Sequence, residues 1–437
     1  MNIFDQMGFL NKECDCGKTH GISLEKLVVG SGVINDLPKL VKERGCKKPF
    51  VFFDSNTKKV GENVCALFYG AEIPFSKYTF SSLSLEPNEE AVGSVIMHFD
   101  NTCDLVIAVG SGVINDIGKI LAKIAKLPYF IVATAPSMDG YASATSSMMM
   151  DGLKVSLPSK CAEVVIGDLD LLKDAPMQML QAGLGDMLAK YVSIAEWRIS
   201  HEITGEYYCE RIAQIVRTAL KRCVDNADGL LKRDKNAVEA VFEGLVLCGI
   251  AMEMAGVSRP ASGVEHYFSH VWDMRGLEFG TKVQLHGIQC AVATNIVAGL
   301  YEKVLKILPN RQVALSYVKA FDYSAWADQL KCFLGKGADA MIALEQKEQK
   351  YCPQKHLKRF DVILQKWDKI CDIIREEIPT QKQISKILES IGAPQTADDI
   401  EITCDLLTTL KATKDIRDKY VLSRLLWDLG IIDTIME

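Results

Sequence analysis

DLVIAVGSGVINDIGKILAKIAKLPYFIVATA, residues 104–135, reads as one strand–helix–strand unit. Asp104–Gly110 is an unbroken apolar run ending in a glycine turn, the pattern of a strand buried on both faces. In Ile117–Lys126 the residues Ile117, Ile120, Leu121 and Ile124 recur at helical spacing and share one face. Tyr129–Ala135 is the next buried strand. Two strands joined by a crossover helix form the unit of a parallel α/β sheet. Upstream, PFVFFD (Pro49–Asp54) repeats the form and ends in an acid before a turn-prone SNT.

This alternation holds for about 175 residues and then stops. After Asp174, helix-compatible segments dominate, among them Met187–Arg198, Glu206–Val224, Ala237–Met254 and Gly287–Val304. The sequence therefore predicts an α/β N-terminal domain with a parallel sheet over 1–175. An all-α domain over 176–437 follows, with a cleft between them. Glu345–Lys358, rich in Lys, Glu and Gln, reads as a solvated excursion. VGSGVIND occurs twice, at Val29–Asp36 and Val109–Asp116. A duplication and convergence on a glycine turn that opens a helix explain it equally well.

The 437 residues are 48% hydrophobic and 24% charged, the balance of a globular protein with a large core. The net charge is −6 and no basic run stands out, which argues against a nucleic-acid binder. The uncharged stretch Val283–Tyr301 carries Gln284, His286, Gln289 and Asn295, so no membrane span is expected. The start, MNIFDQMGFLNKE, is polar and acidic, unlike a secretory signal. Fourteen scattered cysteines without a CxxC pair are then free thiols of a reducing cytoplasm.

Chemistry concentrates in four places. Gly110 and Gly112 bracket a strand-to-helix turn, where backbone N–H groups can meet a phosphate; a plain tight turn is the competing reading. Asp54 stands where an acid accepts hydrogen bonds from a ribose, or caps a turn. Thr134–Ser143, TAPSMDGYAS, is dense in small hydroxyl residues around Asp139, at the carboxyl end of a strand. His266, His270 and His286 fall within 21 residues, although an even spread of the seven histidines would leave less than one there. His266 and His270 share a helical face, and two imidazoles with one carboxylate make an open divalent-metal site. Asp186 in GLGDMLAK is the candidate carboxylate, with a helix cap as its alternative. Glu265 is a second candidate, but as the neighbour of His266 it points off that face. Arg259 and Lys154 are cations that could meet a phosphate. Cys14, Cys16 and His20 (CDCGKTH) look like half a zinc site with no second half evident.

Six blocks in order carry a resemblance: VGSGVINDIGK (109–119), TAPSMDGYAS (134–143), GLKVSLPSK (152–160), GLGDMLAKY (183–191), SRPASGVEHYFSHVWDM (258–274) and LHG (285–287). The chain resembles the bacterial sn-glycerol-1-phosphate dehydrogenases. Their superfamily also holds glycerol dehydrogenase, iron-type alcohol dehydrogenases and 3-dehydroquinate synthase. The resemblance covers residues 25–300 and implies a dehydroquinate synthase-like fold, with a nucleotide-binding first domain and a metal- and substrate-binding second. It implies that Asp54 holds the adenosine ribose. Gly110, Gly112, Val113, Ile114, Asn115, Asp116, Thr134, Ala135, Pro136, Ser137 and Ser143 would line the cofactor. Asp186, His266 and His286 would hold one divalent ion, Ni, Zn or Fe. Asp139, Asp186 and His270 would meet substrate and carry the catalysis.

The implied reaction is reversible, NAD(P)H-linked reduction of dihydroxyacetone phosphate to sn-glycerol 1-phosphate, a step toward phospholipid. The small phosphorylated triose is the expected partner, and a homo-oligomer, with a dimer favoured, is the expected assembly. Two departures stand out. Ile288 follows LHG where relatives often carry an acid, and Val113 stands where many have Ser or Thr. A glycerol dehydrogenase, a dehydroquinate-synthase-like lyase and a non-enzymatic metal scaffold are the competing readings.

Overall fold

A computed structural model describes residues 8–151 and 153–437, with the backbone alone for Leu153. The polar start at 1–7 and Gly152, the first residue of the GLKVSLPSK block, lie outside the described residues. The chain forms two compact units. One takes in residues up to 187 together with 214–258, and the other takes in 188–213 with 259–437.

In the first unit, β1 (Lys26–Gly30), α1 (Leu37–Glu43), β2 (Pro49–Asp54), α2 (Lys58–Gly70), β3 (Ser76–Phe80), α3 (Glu89–Met97), β4 (Leu105–Gly110), α4 (Gly112–Ala125) and β5 (Tyr129–Ala133) alternate. A hairpin, β6 (Thr145–Met150) and β7 (Leu153–Pro158), precedes β8 (Val164–Asp168). Six strands form one sheet in the order β1-β8-β5-β4-β2-β3, and every pair is parallel. Strands β2, β4 and β5 are buried along their whole length, which is why they read as unbroken apolar runs. Val51, Phe53, Ile107, Val109 and Val132 join Leu40, Val64 and Phe68 in one core cluster.

The strand order reverses between β2 and β4. After β2 the chain moves outward to β3, and after β4 it moves the other way to β5. Open α/β sheets leave a crevice outside the carboxyl ends at such a switch point. Phe53 pairs with Val109, so Asp54 and Gly110 stand side by side at that crevice.

Next come α5 (Leu169–Leu172), α6 (Met177–Leu188), α7 (Lys190–Thr204), α8 (Glu210–Asp225) and α9 (Lys235–Ala255). Helix α9 packs on the sheet: the Phe242 ring lies against Gly167 of β8 and 5.5 Å from the Tyr141 ring. The loop before α9 is tied down as well, with Arg233 donating to Ala175 O at 2.7 Å. The second unit is helical. It includes α7, α10 (Val264–Phe279), α11 (His286–Val304) and further helices between Arg311 and Asp428. Glu345–Lys358, expected to be solvated, lies in two of these helices and the turn between them. Glu345 and His356 are buried there, with Glu345 accepting from the Lys350 and Tyr351 N–H groups. No described helix is long and apolar enough to cross a membrane. No disulfide joins the fourteen cysteines, all of which lie among the described residues.

Gly183 of α6 shows why the GLGD block needs glycine. A Cβ there would overlap the carbonyl oxygen of Pro136 in the loop after β5. Because that neighbour is backbone, relief requires moving the loop. Gly183→Ala is therefore expected to cost about 1–3 kcal/mol of stability, the usual penalty of overpacking. Urea unfolding checks this, and an unchanged midpoint would show that the loop yields freely.

Candidate active site

The two VGSGVIND copies have different fates. The first follows edge strand β1, and its turn is filled from within: Gly32 and Ile34 N–H each donate to the Asp168 carboxylate at 3.1 Å. The second follows the central β4 and opens α4, whose N-cap Ser111 makes no side-chain cap. The first-turn N–H groups of α4 have no partner within the helix. They stand beside Asp54 and attract an anion by the same physics that draws Asp168 to the first copy.

The cofactor candidates are placed as follows. Asp54 Oδ1 accepts from the Thr57 N–H and hydroxyl, both at 2.8 Å, so one oxygen shapes the turn. The same Thr57 hydroxyl lies 3.0 Å from Val109 O, so its single proton is shared between β2 and β4. Ile114 is buried against Gly110, and its side chain serves packing. Asn115 and Asp116 support the next loop: Asn115 donates to Gly140 O at 3.0 Å, and Asp116 pairs with Lys119 at 3.0 Å. Burial pushes the Asp116 carboxyl up despite that cation. Lys119 donates to Gly140 O and to Ser143 Oγ. Thr134 N–H donates to Gly110 O, which seats Thr134–Ser137 beside the glycine turn. Val113 lies in the first turn of α4.

Asp139 and Asp186 meet within the first unit. The Asp139 N–H donates to Asp186 Oδ2 at 3.0 Å, and Asp186 is wholly buried. A buried carboxylate at the end of α6 thus fixes the backbone of the MDG turn.

In the second unit, α10 and α11 bring the three histidines together. The His266 and His286 rings are 5.0 Å apart, and His270 lies 6.3 Å from His286. Each metal candidate has its Nδ1 anchored. His266 Nδ1 is 2.8 Å from Glu265 Oε1, and His286 Nδ1 is 2.9 Å from Ser269 Oγ. Ser269 donates its own proton to Gln289 Oε1 and so accepts from His286. Both rings therefore carry hydrogen on Nδ1 and a lone pair on Nε2, the form in which imidazole binds a metal. Cys290, one helical turn after His286, brings its sulfur within 3.6 Å of His286 Nε2. His266, His286 and Cys290 each place a ligand atom within 4.8 Å of the others. This donor set fits a divalent transition metal.

Glu265 is thus an orienting group for the neighbouring ring. Its Oε1 also accepts from Gly263 N–H, while Oε2 has no hydrogen-bond partner among the described residues. Glu196 of α7 reaches the same place: its carboxyl and that of Glu265 both approach Gly263. Glu196 accepts from the N–H groups of Val264 and Leu422. Burial, with the Glu265 charge second, pushes its carboxyl up to about 8.

The SRPASG loop ahead of α10 is pinned at three successive carbonyls. Ser193 donates to Pro260 O, Lys190 to Ala261 O and Lys419 to Ser262 O. Arg259 is consumed by the scaffold, with bonds to both Glu206 oxygens, Ser200 Oγ and Tyr420 O. It positions the loop and does not present a guanidinium to a phosphate.

Sequence reading passed over Ser269, Cys290 and Glu196. The first two follow helical spacing, three residues after His266 and four after His286. Glu196 left no local signal.

Two outcomes follow from these contacts. Ser269→Ala frees His286 Nδ1 and is expected to weaken metal affinity about 10–100-fold with the fold intact, as loss of an orienting partner does; metal competition against a chromogenic chelator measures it. For Glu196, the folded carboxyl near 8 lies above its unfolded value. Its contribution to stability is full below the unfolded value and disappears as pH rises through about 8. The thermal midpoint of Glu196→Gln should therefore fall less between pH 5.5 and 8.5 than that of the parent protein.

The chain matches known proteins along most of its length. A family model of iron-containing alcohol dehydrogenases matches residues 28–176. The chain is 32% identical over 297 residues to the NAD(P)+-linked glycerol-1-phosphate dehydrogenase of Bacillus licheniformis, covering 67% of this chain and 74% of that one. It is 30% identical over 351 residues to the Geobacillus thermodenitrificans enzyme of the same name, covering 79% and 85%. With that of Halalkalibacterium halodurans the identity is 28% over 410 residues, covering 93% and 92%. Among solved structures, the glycerol dehydrogenase of Schizosaccharomyces pombe shares the fold at 15% identity and a TM-score of 0.61, covering 94% of this chain and 89% of that one. The maleylacetate reductase of Agrobacterium tumefaciens does so at 14% and 0.60, covering 96% and 97%. Identity of 30% or more across over two thirds of several such enzymes is decisive: the chain belongs to the glycerol-1-phosphate dehydrogenase family.

Proposed function

We propose that the protein catalyses reversible, NAD(P)H-linked and metal-dependent reduction of dihydroxyacetone phosphate to sn-glycerol 1-phosphate. The observation that carries this is the pair of imidazoles with both Nδ1 atoms anchored, in a chain whose relatives bear that activity in their names. The uncapped start of α4 beside Asp54 supports a dinucleotide.

His266 and His286 offer Nε2 to the ion, and Asp186 is the proposed carboxylate ligand. When bound, the metal supplies Lewis acidity at the C2 carbonyl and the reduced nicotinamide supplies the hydride. Gly110–Asp116 and Thr134–Ser137, with Ser143, are the proposed cofactor wall, and Asp54 takes the ribose. A carboxylate there disfavours a 2′-phosphate, so NADH is the preferred form. Asp139, whose backbone Asp186 holds, orients a substrate hydroxyl. His270 would supply the proton to the C2 oxygen of the reduced substrate. With Arg259 committed elsewhere, Lys154 on β7 is the cation proposed for the phosphate. Fourteen cysteines without a disulfide suit a reducing cytoplasm.

The test compares NADH oxidation with dihydroxyacetone phosphate and with dihydroxyacetone, on protein of measured metal content. Turnover at least about tenfold faster on the phosphate is expected, and His266→Ala should lose metal and turnover together. Equal rates on the two trioses would overturn the phosphorylated substrate. Full turnover in metal-free His266→Ala protein would overturn the metal.

A further inference from the structure

The segment ahead of β1 holds a second cluster of soft ligands that the dehydrogenase chemistry does not use. Cys14, Cys16 and His20 each offer a ligand atom, and these atoms lie within 4.8 Å of one another. Cys14 and His20 are almost wholly buried, at 3% and 1% exposure.

The backbone builds the cluster locally. Gly17 N–H donates to Cys14 O at 2.8 Å, and Cys14 N–H donates to Lys18 O at 3.0 Å. Gly17 sits at φ +77°, a left-handed turn that suits glycine. The chain reverses there, and Glu13 bridges Thr19. The reversal brings His20 Nε2 to 3.3 Å from Cys16 Sγ.

The other ring nitrogen sets the chemistry. His20 Nδ1 is 2.9 Å from Met254 O near the end of α9. A carbonyl only accepts, so Nδ1 carries the hydrogen and the Nε2 lone pair faces the sulfurs. Ligating histidines are commonly held by a backbone carbonyl in this manner. Two cysteines, Cys14 buried and Cys16 half-buried, and one such buried imidazole are the donors of a structural zinc site.

We propose that Cys14, Cys16 and His20 bind a structural zinc-class ion, which ties the N-terminal segment to α9. Binding converts both thiols to thiolates and releases their two protons to solvent. The site is independent of the catalytic reading and stands whether or not that reading does.

The experiment uses full-length His266→Ala/His286→Ala protein expressed with zinc, in which the other centre has lost both imidazoles. Elemental analysis should find about one zinc per chain, and X-ray absorption should find two or more sulfurs at about 2.3 Å. Adding Cys16→Ser should remove that zinc, whereas adding His20→Cys should keep it and add one sulfur. Absence of tightly held zinc in the double variant would overturn the proposal without any change at Cys14, Cys16 or His20. So would a first shell with fewer than two sulfurs, or a Cys14–Cys16 disulfide seen by mass spectrometry.

Discussion

A neutral imidazole has one lone pair, and a metal receives it only if the ring's hydrogen is kept on the other nitrogen. In this protein Glu265 does that for His266 and Ser269 does it for His286. Both orienting groups sit on α10, so one helix carries the proposed ligand His266, the two groups that anchor the Nδ1 atoms, and His270. The cost is a buried carboxylate. Glu265 is fully enclosed, and such a group is unfavourable unless hydrogen-bonded. Its company is Gly263 N–H, the His266 ring and, across Gly263, a Glu196 that burial keeps largely protonated near neutrality.

That requirement spreads outward through the second unit. Glu196 reaches Gly263 only because Val264 and Leu422 N–H hold it, and the loop carrying Gly263 is held at three carbonyls by Ser193, Lys190 and Lys419. Arg259 locks the start of the same loop with four hydrogen bonds. Buried polar networks are favourable only when nearly every member is satisfied. Glu265 Oε2 and Gln289 Nε2 are exceptions among the described residues, and the first lies, like the Glu196 carboxyl, beside Gly263.

The first unit follows a parallel logic with backbone donors. A glycine turn leaving a strand presents N–H groups that want negative charge. The first VGSGVIND copy takes the Asp168 carboxylate, and the second, at the switch point of the sheet, is left without a side-chain cap. One string of residues is therefore a structural tie at the sheet edge and a helix start without a side-chain cap at its centre. The loop after β5 is fitted just as tightly, between Gly183 of α6 and the Asn115–Lys119 face of α4, with Asp186 fixing Asp139.

Much of this was legible in the residues alone. Strands buried on both faces have no polar side to show, so β2, β4 and β5 stand out as continuous apolar runs. The histidines stand out because α10 and a single short connection to α11 place all of them in 21 residues. Tertiary structure alone decided that residues 214–258 return to the sheet-bearing unit, because a helix's periodicity reports that a face is buried and not which surface buries it. It also decided the role of Glu265. Spacing turned that side chain away from the histidine face, yet a flexible carboxylate folds back to its neighbour's Nδ1. It tied Arg259 to Glu206, 53 residues away, and it gave His20 its partner at Met254, 234 residues on. Local pattern follows from the chain's own geometry; which polar group satisfies which is settled only when distant segments close around them and water leaves.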